Sequence, residues 1–232
     1  MLVCACAATP ALPDGFAYRE IEAGDFTLAS YTKLTDPAAP VHVYIEGDGA
    51  AFRHGFPTRD PTPKSTLVRN MAFADKAPNV AYLARPCQYV MTTKCEEKYW
   101  TSARFSAQVI EAEYRAVKTL ASGRKVVLIG FSGGAQIAGL LAATTDLKVE
   151  RVITIAGNLD HRAWTNWHRT APLEGSLNLA DYREKFARIP QTHYVGAKDK
   201  VVPPHLAKDF GADVIIIENA AHESGWDAKI AI

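Results

Sequence analysis

The stretch Val126-Val127-Leu128-Ile129-Gly130-Phe131-Ser132-Gly133-Gly134 holds the residues best suited to covalent chemistry. Gly-x-Ser-x-Gly between an apolar run and a segment of small residues is the pattern of a nucleophile elbow, in which the serine sits on a strained turn between strand and helix. The two outer glycines leave space where a Cβ would strike neighbouring backbone. A serine placed over a helix N-terminus has free backbone N–H groups and the helix dipole beside it, and both favour a developing negative charge. The chemistry this predicts is nucleophilic attack by Ser132 on a carbonyl. The motif is short, and a glycine-rich turn kept only for packing would read the same way, so its context must carry the argument.

A serine hydroxyl is a weak nucleophile until an imidazole takes its proton, and the imidazole needs a carboxylate to fix its tautomer and stabilise its charged form. Around a strand-to-helix elbow both partners follow the serine, each just past a later strand. His222 follows the apolar run Val214–Ile217 through Glu218-Asn219-Ala220-Ala221 and is the candidate base. Asp199 follows Thr192–Val195 in the loop Gly196–Pro203 and is the candidate acid, with Asp160, after Val152–Ile155, as its rival. A turn-forming Asp and a surface His are the plain alternatives, and the order Ser, Asp, His argues against them. An oxyanion hole needs two backbone donors. One is expected from Gly133, and the other from Asp48 or Gly49 in the loop after Val41–Ile45; the choice between those two stays open.

These groups need a sheet to hold them. Phe16–Ile21 and Phe26–Tyr31 flank a Gly24-Asp25 turn and read as a hairpin. Six runs follow at Val41–Ile45, Val80–Ala84, Val126–Ile129, Val152–Ile155, Thr192–Val195 and Val214–Ile217. Such short, β-branched runs suit strands buried on both faces. Helical segments lie between several of them, at Ser65–Asp75, Ala103–Ala121 (with Gly123 as its expected left-handed end) and Gly133–Ala143. The alternation predicts a doubly wound α/β fold: a mostly parallel, eight-stranded sheet with helices on both faces. Two long connections, Gly47–Lys64 and Asn158–Arg188, read as walls over a site. Phe131 beside the nucleophile and Trp164, Trp167 and His168 in the second wall are candidate pocket residues, although the loop aromatics could equally anchor that wall to the core.

At 232 residues the chain suits one domain over 15–232, with 158–188 as a lid or wall excursion and 1–14 as a mobile segment or signal remnant. Apolar residues make up 48% and charged residues 22%, which excludes a disordered chain. The formal net charge is +1 and no basic block occurs, so the composition gives phosphate-mediated nucleic-acid binding no support. No apolar run approaches the ~18 residues of a membrane span. Val3-Cys4-Ala5-Cys6 resembles the end of a bacterial lipoprotein signal, which would put a lipid anchor on Cys6 and the protein in the periplasm or envelope; a meaningless N-terminus is the alternative. Cys87 and Cys95 lack further ligands nearby, so a metal site is not expected. They read as a disulfide in an exported protein, or else as two unrelated buried thiols. Oligomeric state is not legible.

The segments Gly130–Gly134, Gly196–Pro203 and His222 resemble the α/β-hydrolase superfamily over nearly the whole chain from about residue 15. More narrowly, Tyr44-Ile45-Glu46-Gly47-Asp48-Gly49, Leu83-Ala84-Arg85-Pro86-Cys87-Gln88-Tyr89 and Ala156-Gly157-Asn158-Leu159-Asp160 are similar to a group of small exported bacterial α/β hydrolases of unsettled substrate. Many esterases carry His-Gly where this chain has Glu46-Gly47, which leaves the shape of the oxyanion loop open. The resemblance implies hydrolysis of an ester, thioester or amide through an acyl-enzyme on Ser132, with no cofactor and a small acyl substrate. A non-catalytic binding or envelope interaction protein and an acyltransferase are the alternatives.

Overall fold

The computed structural model describes residues 12–210, 213–226, 230 and 232. Residues 1–11 of the expected N-terminal segment 1–14, Cys6 among them, lie outside the described residues. Eight strands form one sheet: β1 Ala17–Ala23, β2 Phe26–Leu34, β3 Val41–Ile45, β4 Asn79–Leu83, β5 Val126–Phe131, β6 Val149–Ile155, β7 Gln191–Gly196 and β8 Asp213–Ile217. Their order is β1-β2-β4-β3-β5-β6-β7-β8. β1 and β2 form an antiparallel hairpin that closes at Ala23↔Phe26, and β2 runs antiparallel to β4. All other pairs are parallel. The eight-stranded, mostly parallel α/β sheet expected from the apolar runs is therefore present.

The central parallel strands read as continuous apolar runs because both of their faces are covered; β8, expected to be buried likewise, lies at the sheet edge and leaves Ile215 and Ile216 exposed. Every residue of β4 and of β5 is buried. Alternate side chains enter opposite cores. From β3, Val43 and Ile45 join Leu128, Phe105, Ile137 and Phe186 on one face, while Tyr44 joins Val68, Tyr82, Ile153 and Tyr194 on the other. Helix α1 (Leu67–Ala74) covers the second face. Helices α2 (Ala107–Ala121), α3 (Gly133–Thr144) and the short α5 (Arg183–Phe186) supply the first.

Local chemistry moves several boundaries. α2 starts at Ala107, four residues after the expected start, because the Ser106 hydroxyl caps it by accepting from the Val109 amide at 3.4 Å. Its left-handed exit begins on Ser122 (φ 48°) and continues through Gly123 (φ 84°). The connection from Asn158 contains a helix that the polar sequence concealed, α4 (His161–His168). The side chain of Asp160 caps it through the amides of Arg162 and Ala163. The connection from Gly47 folds a two-residue ribbon, Phe52–Arg53 against Phe56–Pro57. Cys87 and Cys95 are joined in a disulfide, with Cα atoms 5.7 Å apart. Among the described residues no helix is long and apolar enough to cross a membrane.

Candidate active site

Ser132 stands between the last residue of β5 and the first of α3, at φ 51° and ψ −119°. Such a backbone costs a non-glycine residue about 1–3 kcal/mol and persists only where its surroundings enforce it. The Ser132 amide donates to the Ile155 carbonyl at 3.0 Å, and its carbonyl accepts from Ala135 and Asn158 at 3.1 and 3.0 Å. The outer glycines are required by contact. A Cβ on Gly130 would lie 2.5 Å from the Ala135 Cα, and one on Gly134 would lie 2.3 Å from the Ile45 carbonyl oxygen.

Two later loops bring the other groups to the same sheet edge. Backbone bonds from Ala197 to Ile217 (3.0 Å) and from Lys198 to Ala220 (2.9 Å) stitch the loop after β7 to the loop after β8. Gly196 permits the approach, since a Cβ there would sit 2.6 Å from the Ala220 carbonyl oxygen. The result is a continuous chain: Ser132 Oγ lies 3.0 Å from His222 Nε2, and His222 Nδ1 lies 2.9 Å from Asp199 Oδ2. The other Asp199 oxygen accepts from the amides of Val201 and Val202 at 2.8 and 2.9 Å, which fixes the buried carboxylate. A carboxylate only accepts, so the shared proton belongs on Nδ1 and the Nε2 lone pair faces the serine hydroxyl. Asp160 has no part in this chain, because Oδ1 is occupied by the cap of α4 and by Asn178 Nδ2 at 2.7 Å.

The loop after β3 closes over the elbow. Gly47 packs there, and a Cβ on it would be 3.3 Å from the Ser132 Cβ. The Gly47 amide donates to Glu46 Oε1 at 2.9 Å, and the Gly47 carbonyl accepts from Gln88 Nε2 at 3.0 Å. The Asp48 carboxylate is ion-paired with both Arg85 and Arg104. Burial alone would raise its pKa, but the two guanidinium groups outweigh that effect and hold it below the usual range. Glu46 is buried and accepts from Tyr82 Oη at 2.7 Å. Burial nevertheless pushes its carboxyl up to about 7.

Glu46, Gly47, Asp48, Ser132 and His222 border a cleft of about 280 Å³. Phe131 and Trp164 line it, together with Val68, Val201, Lys64 and Glu223. Trp167 and His168 do not. Trp167 is 56% exposed and packs edge-on against His205, with ring centroids 4.4 Å apart. His168 packs at a tilt against Trp164, with ring centroids 4.7 Å apart, and its Nε2 reaches the Val201 carbonyl at 2.8 Å. Helical spacing turns Trp167 from the side of α4 that carries Trp164, whereas His168 shares that side but lies one turn further on, beyond the cleft. Reading the sequence missed Glu46, Arg85, Gln88 and Arg104 as parts of the site. The available signal was a charged residue directly after each of two strands buried on both faces, Glu46 after β3 and Arg85 soon after β4. Among the described residues no group of three or more His, Cys, Asp or Glu could hold a metal ion.

No protein-family model and no curated protein matches the chain. Solved structures do. Est1E from Butyrivibrio proteoclasticus, solved with ferulic acid bound, superposes with a TM-score of 0.65 at 12% identity, over 91% of this chain and 92% of that one. An esterase from Pyrococcus furiosus gives 0.60 at 15% identity, over 89% and 82%. The acylaminoacyl peptidase of Pyrococcus horikoshii gives 0.58 at 15%, over 90% of this chain, which spans only 38% of the peptidase. With its strand order and elbow alongside these likenesses, the chain has the α/β-hydrolase fold.

Proposed function

We propose that the protein is a serine hydrolase that cleaves a small carboxylic ester through an acyl-enzyme. The observation that carries this reading is the unbroken Ser132–His222–Asp199 chain, with spacings of 3.0 and 2.9 Å, on a strained elbow facing a cleft. Ser132 Oγ attacks the carbonyl carbon while His222 Nε2 takes the hydroxyl proton. The carbonyl π electrons move onto oxygen, which the amide of Gly133 and a donor in the Asp48–Gly49 loop receive. Collapse expels the alcohol, which leaves with the proton from His222. Water then attacks the ester on Ser132 by the same steps and releases the acid. Asp199 orients His222 and stabilises its charged form. Thioesters and amides suit the same steps, since one histidine serves as base and then as acid for each of these leaving groups. The disulfide supports placement of the protein in an oxidising, exported compartment.

A fluorophosphonate probe should label the folded protein and leave Ser132→Ala unlabelled, and p-nitrophenyl acetate should be turned over only by the former. Folded protein that neither reacts with the probe nor hydrolyses p-nitrophenyl esters of any chain length would remove the reading. Added methanol that diverts the acyl group to methyl ester, with little free acid formed, would reassign the protein as an acyltransferase.

A further inference from the structure

The second oxyanion donor can be chosen from the way the loop after β3 is held. The choice deepens the hydrolase reading and rests on it. Four side chains, Glu46, Gln88, Arg85 and Arg104, hold successive groups of this loop. Glu46 occupies the Gly47 amide, so that amide is unavailable to a substrate. Gln88, buried and outside the cleft, binds the Gly47 carbonyl at 3.0 Å. No cis peptide occurs among the described residues, and a trans peptide points its C=O and N–H in opposite directions. With the Gly47 carbonyl turned to Gln88, which lies outside the cleft, the Asp48 N–H of the same peptide is turned away from Gln88, and Asp48 itself borders the cleft with Ser132. Gly49 also borders the cleft, with its Cβ side against the Pro61 carbonyl oxygen (2.2 Å) and Gln88 Nε2 (2.8 Å), but the peptide whose direction a side-chain bond fixes is that of the Asp48 N–H.

The Asp48 side chain completes the grip. Its two oxygens pair separately with Arg85 and Arg104, both buried, and Arg85 also donates to the Arg104 carbonyl. The same carboxylate lies against the helix start: a Cβ on Gly133 would be 2.1 Å from Asp48 Oδ1 and 3.0 Å from an Arg85 nitrogen. A carboxylate held at both oxygens by buried partners cannot swing aside as a free side chain could. We propose that Asp48 supplies the second oxyanion amide, that its ion-paired carboxylate is the positioning group that holds this amide beside that of Gly133, and that residue 133 is glycine because the carboxylate fills the space of a side chain. Gln88 and Glu46 set the direction of the peptide, and Arg85 and Arg104 set its place.

An amide held for the oxyanion acts on the transition state far more than on the bound ester. Asp48→Asn keeps the shape and removes the charge that the arginines grip. Its kcat should fall about 100-fold with KM within about threefold of the parent, and its affinity for phenylboronic acid, a tetrahedral adduct former, should fall in parallel. Arg104→Gln leaves one grip and should show the same pattern at about tenfold. It also serves if Asp48→Asn does not fold. For the steric claim, Gly133→Ala should lower the melting temperature, and the loss should shrink when the same change is made in Asp48→Ala. Folded Asp48→Asn or Arg104→Gln with parental kcat and boronate affinity would overturn the proposal, as would a rise in KM alone. Gly133→Ala at parental stability would overturn the steric part. Ser132→Ala that still turns over ester would sink the hydrolase reading instead, so the two failures are distinct.

Discussion

Asp199 and Asp160 have the same side chain and do different work, because their partners differ. Asp199 holds His222 through one oxygen and two backbone amides through the other. Asp160 holds the first turn of α4 and Asn178. Asp199→Asn presents the imidazole with an amide that can donate, which favours the wrong tautomer, so kcat should fall by about 10³–10⁴ with little change in melting temperature. Asp160→Ala removes a cap and should cost about 1 kcal/mol of stability while turnover remains. The pair of variants, assayed by steady-state kinetics and thermal melts, separates the roles; a large kcat loss in Asp160→Ala would reverse the assignment. That Ser132, His222 and Asp199 would meet was legible because each type is demanded by proton transfer and each follows a strand in the order the elbow requires. The roles of Glu46, Gln88, Arg85 and Arg104 were not. Their partners lie as far as 56 positions along the chain, and no local pattern links an aspartate to the arginine it will meet.

At the scale of elements, the central strands were readable because burial on both faces leaves mostly apolar residues, whereas α4 and the loop after β3 are fixed by side-chain bonds that periodicity does not register. The disulfide shows how such a loop is stiffened. Cys87 lies between Arg85 and Gln88, the residues that grip Asp48 and Gly47, and it has a left-handed backbone (φ 69°). Its bridge to Cys95 closes a short loop after β4. Cys87→Ser with Cys95→Ser should lower unfolding free energy by about 2–3 kcal/mol, the entropy of so short a closure. It should also lower kcat more than it raises KM, because the loosened segment carries two of the grips on the oxyanion loop. Denaturant titration and steady-state kinetics of the double variant measure both effects. Unchanged kcat in a destabilised variant would mean that the grips hold without the bridge.

At the scale of the whole molecule, one carboxyl among the described residues is buried without a hydrogen-bond partner, on the sheet-facing side of α2. Glu113 lies four residues after Val109 and three before Ala116, so the apolar stripe of the helix carries it inward. It is fully buried, and neither oxygen has a hydrogen-bond partner. Burial raises its pKa from 4.5 to about 8, against a weaker opposing pull from Arg85. Between those two values the unfolded chain has released the proton that the native state keeps. A rise in pH therefore favours unfolding: stability is full below about 4.5 and declines until the pH passes about 8. At up to ~1.4 kcal/mol per pH unit, the native protein should lose roughly 3 kcal/mol from about pH 5 to about pH 8 relative to Glu113→Gln, which keeps the volume and cannot ionise. Glu46 shifts in the same direction, but it is present in both proteins and cancels in the difference. Urea unfolding of the two proteins across this range should give curves that diverge as pH rises, with the variant the more stable at the alkaline end. Parallel curves would mean that Glu113 ionises at its ordinary pKa, which would require water or a cation to reach it in the folded protein.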